Sequence, residues 1–156
     1  MDIRPFEGLF CSITQISKFN FEVWDDDGRV FSSRPDRSDI SIYRQLENFS
    51  TQVMSQAVFR HDCLNGQQSI FGVPIRSEEK IIGALLAYST KAHKRLKQKA
   101  VDSRKMPFVE ETGKLLARLV AIMEDKWLDM KEKDKIAEEL GRSFEDLHLY
   151  SKIGDK

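Results

Sequence analysis

The tripeptide His61-Asp62-Cys63 sets an imidazole, a carboxylate and a thiol side by side. All three are zinc ligands, and a thiol beside an imidazole is the start of a nucleophile–base pair. Neither chemistry is completed elsewhere in the chain. A structural zinc takes four ligands at paired spacings, whereas Cys11, His93 and His148 are scattered and form no second pair. A cysteine nucleophile needs an oriented third group and an oxyanion hole, and nothing in the sequence supplies them. Strand alternation puts His61 and Cys63 on one face only if the strand runs on to Cys63. No glycine-rich phosphate or dinucleotide loop is present. These residues point away from an enzyme and require neither metal nor cofactor. They leave the tripeptide as a strand end entering a turn, with a redox sensor acting through Cys63 as an alternative.

The basic run "KAHKRLKQK" within Lys91–Lys105 could meet phosphate, but no aromatic side chains are interleaved to stack bases, and solvated helix faces have this composition. The 156 residues carry 25 basic and 25 acidic side chains, a formal net charge of zero. No global field steers such a chain toward nucleic acid or an anionic membrane. Its two cysteines, Cys11 and Cys63, are too few for a disulfide framework. No apolar run reaches the ~20 residues of a membrane span, and "MDIRPFEGLF" lacks the basic-then-apolar order of a signal peptide. The expectation is a reduced, soluble, cytoplasmic protein with no nucleic-acid or membrane partner.

The elements that would position any site follow from hydrophobic period. Leu9, Phe10, Ile13 and Ile16 fall at helical spacing in "RPFEGLFCSITQIS". Phe19, Phe21 and Val23 then alternate with Asn20, Glu22 and Trp24, a strand with one buried face, and the Asp27-Gly28 turn leads into a second strand at Val30 and Phe31. After the loop "RPDRSDIS", Ser38 or Asp39 caps a helix with Tyr43, Leu46, Phe49, Val53, Met54 and Ala57 on one face. "AVFRHD" and "QQSIFGVPI" read as strands joined through Asn65-Gly66, and "RSEEK" returns the chain into "IIGALLAYS". Gly72 and Gly83 allow close approach of another element. The fold class is α+β: an antiparallel sheet of about five or six strands with helices on both faces, plus a long C-terminal helix.

From Phe108 that helix carries Leu116, Met123, Met130, Ala137 and Phe144 at seven-residue spacing, with Leu119, Leu140 and Leu147 three positions later. This is a coiled-coil seam and predicts a homodimer. Lys126 and Lys133 interrupt the second set, and Gly141 costs the helix about 1 kcal/mol relative to alanine.

In this order and spacing, "VWDDDGRVF", Val73-Pro74-Ile75, Ile81-Ile82-Gly83-Ala84-Leu85-Leu86 and Phe108-Val109-Glu110-Glu111 resemble the GAF family of small-molecule sensor domains over roughly residues 5 to 125. Val109 replaces the Ser or Thr that the family uses as a helix cap, and Lys91–Lys105 is a longer connection than usual. The ending Leu149-Tyr150-Ser151-Lys152-Ile153-Gly154 resembles the linker from one sensory module into the next. The resemblance implies a sensor over 1–125 and, over 126–156, a coiled-coil signalling helix leading to an output or second sensor domain. A fragment of a histidine kinase of a two-component system, or of a second-messenger enzyme, fits that description. It places an unidentified small-molecule ligand beneath the helix between strands two and three, with Tyr43, Phe49, Phe59, His61, Cys63 and Phe71 as the pocket. The opposing reading is a ligand-free structural dimerisation module whose aromatics are plain core.

Overall fold

A computed structural model of the chain describes residues 1–17, 19–34, 39–66, 68–89 and 106–154, with side chains along the last of these segments at 109–132 and 134–143. The basic segment Lys91–Lys105, His93 and Ser38 lie outside the described residues, as do the side chains of Phe108, Phe144, Leu147 and His148.

The elements are α1 (Arg4–Ser17), β1 (Phe19–Asp25), β2 (Gly28–Ser32), α2 (Ile40–Gln56), β3 (Arg60–Leu64), β4 (Gln68–Ser77), β5 (Lys80–Ser89) and α3 (Met106–Gly154). The five strands form one antiparallel sheet in the order β2-β1-β5-β4-β3. Three hairpins and the β1–β5 pairing account for this order. Asn65 and Gly66 both take positive φ, the backbone of the tight hairpin turn that an Asn-Gly pair adopts at little cost. Glu78 and Glu79 take the same conformation without a glycine or asparagine to ease it. Pro74 sits in β4 opposite Ala84 of β5, beyond the end of β3, whose pairing stops at Arg60–Gly72. Its missing N–H therefore removes no bond from a β3 ladder.

Asp39 caps α2, its Oδ1 accepting from the Ser41 N–H at 3.0 Å and the Ile42 N–H at 3.4 Å. The helix closes at Ala57, whose left-handed backbone returns its N–H to the Val53 carbonyl at 3.0 Å. Because Ala57 is spent on this cap, the third strand begins at Arg60, not at Ala57, and runs on to Leu64. Gln45 of α2 holds the β3–β4 turn, donating from Nε2 to Asn65 Oδ1 at 2.5 Å and accepting from its backbone N–H at 3.1 Å.

The sheet is covered on both faces. On one, α2 packs Leu46, Phe49 and Val53 over Trp24, Leu64, Ile70, Ala84, Leu86 and Tyr88. On the other, Phe10 of α1 meets Phe21 and Phe31 with ring centroids 5.7 and 5.5 Å apart, and Gly113 of α3 lies against the Phe59 ring. Two expectations change accordingly. In α1 the buried side chains are Phe6 and Phe10, one turn apart, while Leu9 and Ile16 are exposed. In β1 four consecutive residues, Phe21 to Trp24, are buried, so the strand has two inner faces instead of one.

Contacts divide the chain into a compact unit, Met1–Ala121, and a second, Ile122–Lys156, formed by the continuation of α3. No helix among the described residues is long and apolar enough to cross a membrane.

Candidate functional site

The six residues assigned to the pocket do not line one cavity. Phe71 is fully buried, its ring stacked against His61 at 4.8 Å and Phe59 at 6.3 Å, with Phe19 edge-on at 6.0 Å. Strand alternation does bring Phe59, His61 and Phe71 together, as their spacing predicts. Their face, however, is the one opposite α2. The next residue, Gly72, points at α2, where a Cβ would lie 2.5 Å from Val53 and 2.8 Å from Phe49. Tyr43 and Phe49 thus belong to the other side of the sheet. Cys63 is exposed, as is Cys11, and borders a groove of about 170 Å³ between α2 and β3 that Phe49 also lines. Partial burial against the aromatic cluster holds the His61 imidazole below its ordinary pKa, with Asp62 pulling the other way. Among the described residues no group of three His, Cys, Asp or Glu side chains is placed to hold a metal ion.

The α2 face holds an arrangement that the alternation of β1 concealed. Glu22, on the half of the strand read as polar, is 1% exposed. Its Oε2 accepts from the Trp24 indole N–H at 2.9 Å. Its Oε1 accepts from the Ser32 hydroxyl at 3.1 Å and the Tyr88 hydroxyl at 3.3 Å. The three donors come from β1, β2 and β5, so sheet pairing assembles them. Tyr43 of α2 closes the group from above, its ring 5.1 Å from that of Trp24. The Arg29 guanidinium lies 5.2 Å from the Tyr43 ring centroid and brings Nη1 to 3.6 Å from Glu22 Oε1.

Burial raises the Glu22 pKa, while the Trp24 N–H, the Arg29 charge and the two hydroxyls act in the opposite direction. Burial also raises the Tyr88 phenol, and the neighbouring carboxylate adds to the effect. A buried carboxylate is costly, and three neutral donors and one cation offset part of that cost here. The sequence did contain a signal for it: an acid flanked by strand aromatics, in a strand followed by an arginine-bearing hairpin.

Beside this group lies a cavity of about 380 Å³ between α2 and the β1–β2 turn. Trp24 and Ile81 border it from the sheet, Asp25 to Gly28 from the turn, and Glu47, Ser50, Thr51, Met54 and Ser55 from the helix. Its described lining contains four carboxylates, Asp25, Asp26, Asp27 and Glu47, and no Lys, Arg or His. Trp24 belongs to both the cavity and the Glu22 group, and a Cβ on Gly28 would stand 3.9 Å from the Tyr43 hydroxyl, so the two adjoin. The space is concave and mixed in polarity, of a size for a small metabolite.

Along α3, Leu116 and Met123 are already buried within one chain, Leu119 and Met130 are half-buried, and Ala137 and Leu140 are exposed. Leu115, Ile122 and Ile136, each one residue before a position of the predicted seam, are exposed. The burial of Leu116 and Met123 takes these two out of a surface available to a second chain.

Comparison of the sequence with protein-family models and with curated proteins finds no match.

Proposed function

We propose that this chain is a regulatory sensor domain of the GAF type, which binds a small molecule on the α2 face of its sheet. In this reading it performs no chemistry of its own. It works in the cytoplasm as a homodimer and transmits the bound state through α3 to an output domain, such as a histidine kinase or a second-messenger enzyme. The observation that carries the reading is the Glu22 group beside an open cavity. A module that only joins two chains gains nothing from an ion in its core, since replacing such a group with well-packed apolar residues is often neutral or stabilising. A domain that must respond to a polar ligand has a use for it.

The architecture supports the same reading. The α+β sheet with helices on both faces is compatible with a signalling domain. The residues that carry the GAF resemblance fall on matching elements: Val73-Pro74-Ile75 in β4, Ile81 to Leu86 in β5, and the acidic turn between β1 and β2. A ligand that prefers one of two arrangements by ~1.4 kcal/mol shifts their ratio tenfold, and α3, 49 residues long, offers a continuous element to bias.

A thermal-shift screen of metabolites on the wild type and on Thr51→Trp tests this. Thr51 is an exposed residue on the cavity wall, and an indole there fills the space. Compounds that stabilise the wild type and not the variant support the reading. If no compound stabilises the wild type, the ligand-free dimerisation module takes its place.

A further inference from the structure

We propose that the line Ile122, Lys126, Asp129, Lys133, Ile136 and Leu140 of α3 is a docking surface for a second copy of this chain running in the opposite direction. The inference rests on the homodimer of the proposed function and adds the direction of its helices.

Within the second unit, Ile122, Ile136 and Leu140 are 58%, 56% and 53% exposed, large apolar side chains that the single chain leaves in water. Alternating steps of four and three residues join them through positions 126, 129 and 133, the spacing of one coiled-coil face. Met123, on the neighbouring line, is buried within the chain, which leaves the line of Ile122 for a partner. Along it the order is apolar, charged, apolar. Ile122 stands at one end, Ile136 and Leu140 at the other, and two lysines flank an aspartate between them.

The charged middle decides the direction of the partner. Two copies running the same way in register would set lysine on lysine at 126 and 133 and aspartate on aspartate at 129, three layers of like charge. Reversal removes them. With Ile122 opposite Leu140 of the partner subunit, Asp129 falls opposite position 133 of the partner subunit, a lysine. Ile136 falls opposite Lys126 of the partner subunit, whose methylene stem can cover it while the ammonium reaches water. Two-fold symmetry makes each of these contacts twice. A different partner would have to bring both signs of charge between two apolar ends, which a reversed second copy does. Any segment that follows α3 then leaves the pair at opposite ends.

Disulfide cross-linking tests the direction, in a Cys11→Ser, Cys63→Ser background that removes both exposed native thiols. Ile122→Cys combined with Leu140→Cys should give a covalent dimer about tenfold faster than either substitution alone. Within one chain the two positions lie ~27 Å apart along the helix, too far for an internal disulfide. Glu138→Cys, exposed on another face, gives the rate of chance collision. By sedimentation, Asp129→Lys should weaken the dimer about tenfold, and Lys133→Asp added to it should restore the affinity. Single substitutions that cross-link as fast as the pair make the helices parallel, so the direction falls and the homodimer stands. Cross-linking no faster than that of Glu138→Cys in a dimeric chain places the interface elsewhere and overturns the proposal. A chain that remains monomeric overturns both the docking surface and the homodimer, while the metabolite screen with Thr51→Trp still decides ligand binding.

Discussion

Trp24 donates its indole N–H to the carboxylate of Glu22, two residues earlier on the same face of β1, at 2.9 Å and with both side chains buried. The pair is the centre of a polar group on the α2 face: Ser32 and Tyr88 donate to the same carboxylate, Arg29 stands beside it, and Tyr43 packs on the indole. Trp24→Phe keeps an aromatic ring but removes the donor. Chemical denaturation should show a loss of about 2–4 kcal/mol, from a missing hydrogen bond to a charged group and a smaller ring. A loss under 1 kcal/mol would mean that the bond contributes little.

Glu22 also makes stability depend on pH. Its pKa is raised by burial above the unfolded value, so the folded state takes up a proton more readily than the unfolded chain. The contribution is complete below the ordinary glutamate pKa and is lost as pH rises through the folded value. Compared with Glu22→Gln, the wild type should therefore gain stability between pH 7.5 and pH 5 in urea titrations. A relative loss over that interval would show that the donors and Arg29 outweigh burial.

The two central glycines are expected to differ. A Cβ at Gly72 would meet side chains, Val53 and Phe49, whereas one at Gly83 would meet the Trp24 carbonyl oxygen at 2.5 Å. Gly72→Ala should cost about 1–3 kcal/mol, as over-packing does. Gly83→Ala should cost more, because a β1 backbone atom must move. Equal losses in parallel melts would be evidence that β1 yields as easily as a side chain.

At the β4–β5 turn, Glu78 and Glu79 hold positive φ. The double substitution Glu78→Asn with Glu79→Gly supplies the residues this turn favours and should raise stability by about 1–2 kcal/mol. No change in the unfolding midpoint would indicate that interactions of the glutamates already offset the backbone cost.

The dimer proposed for α3 is best tested away from Met123, which the single chain already buries. Ile122→Glu with Ile136→Glu changes two exposed positions, so the fold should survive while sedimentation equilibrium reports monomer. A dimer that persists places the interface elsewhere. For the redox alternative, Cys11 and Cys63 are both exposed, and low peroxide followed by mass spectrometry should modify them alike. Rapid, selective oxidation of Cys63 would promote that alternative.

The local signals in the sequence determined the elements. Asn65-Gly66 set one hairpin, Asp39 set the start of α2, and hydrophobic period separated strands from helices, because each acts over a few neighbouring residues. What tertiary structure decided was which side of each strand faces which helix. Alternation groups Phe59, His61 and Phe71 correctly, but it is symmetric about the sheet and contains nothing to say that α2 covers the side of Gly72. It also marks Glu22 and Trp24 as an outward half only where one sheet face is wet. Here both faces are covered, and the carboxylate finds its partners at Ser32, Arg29 and Tyr88, up to 66 residues away, through strand pairing that no local spacing encodes.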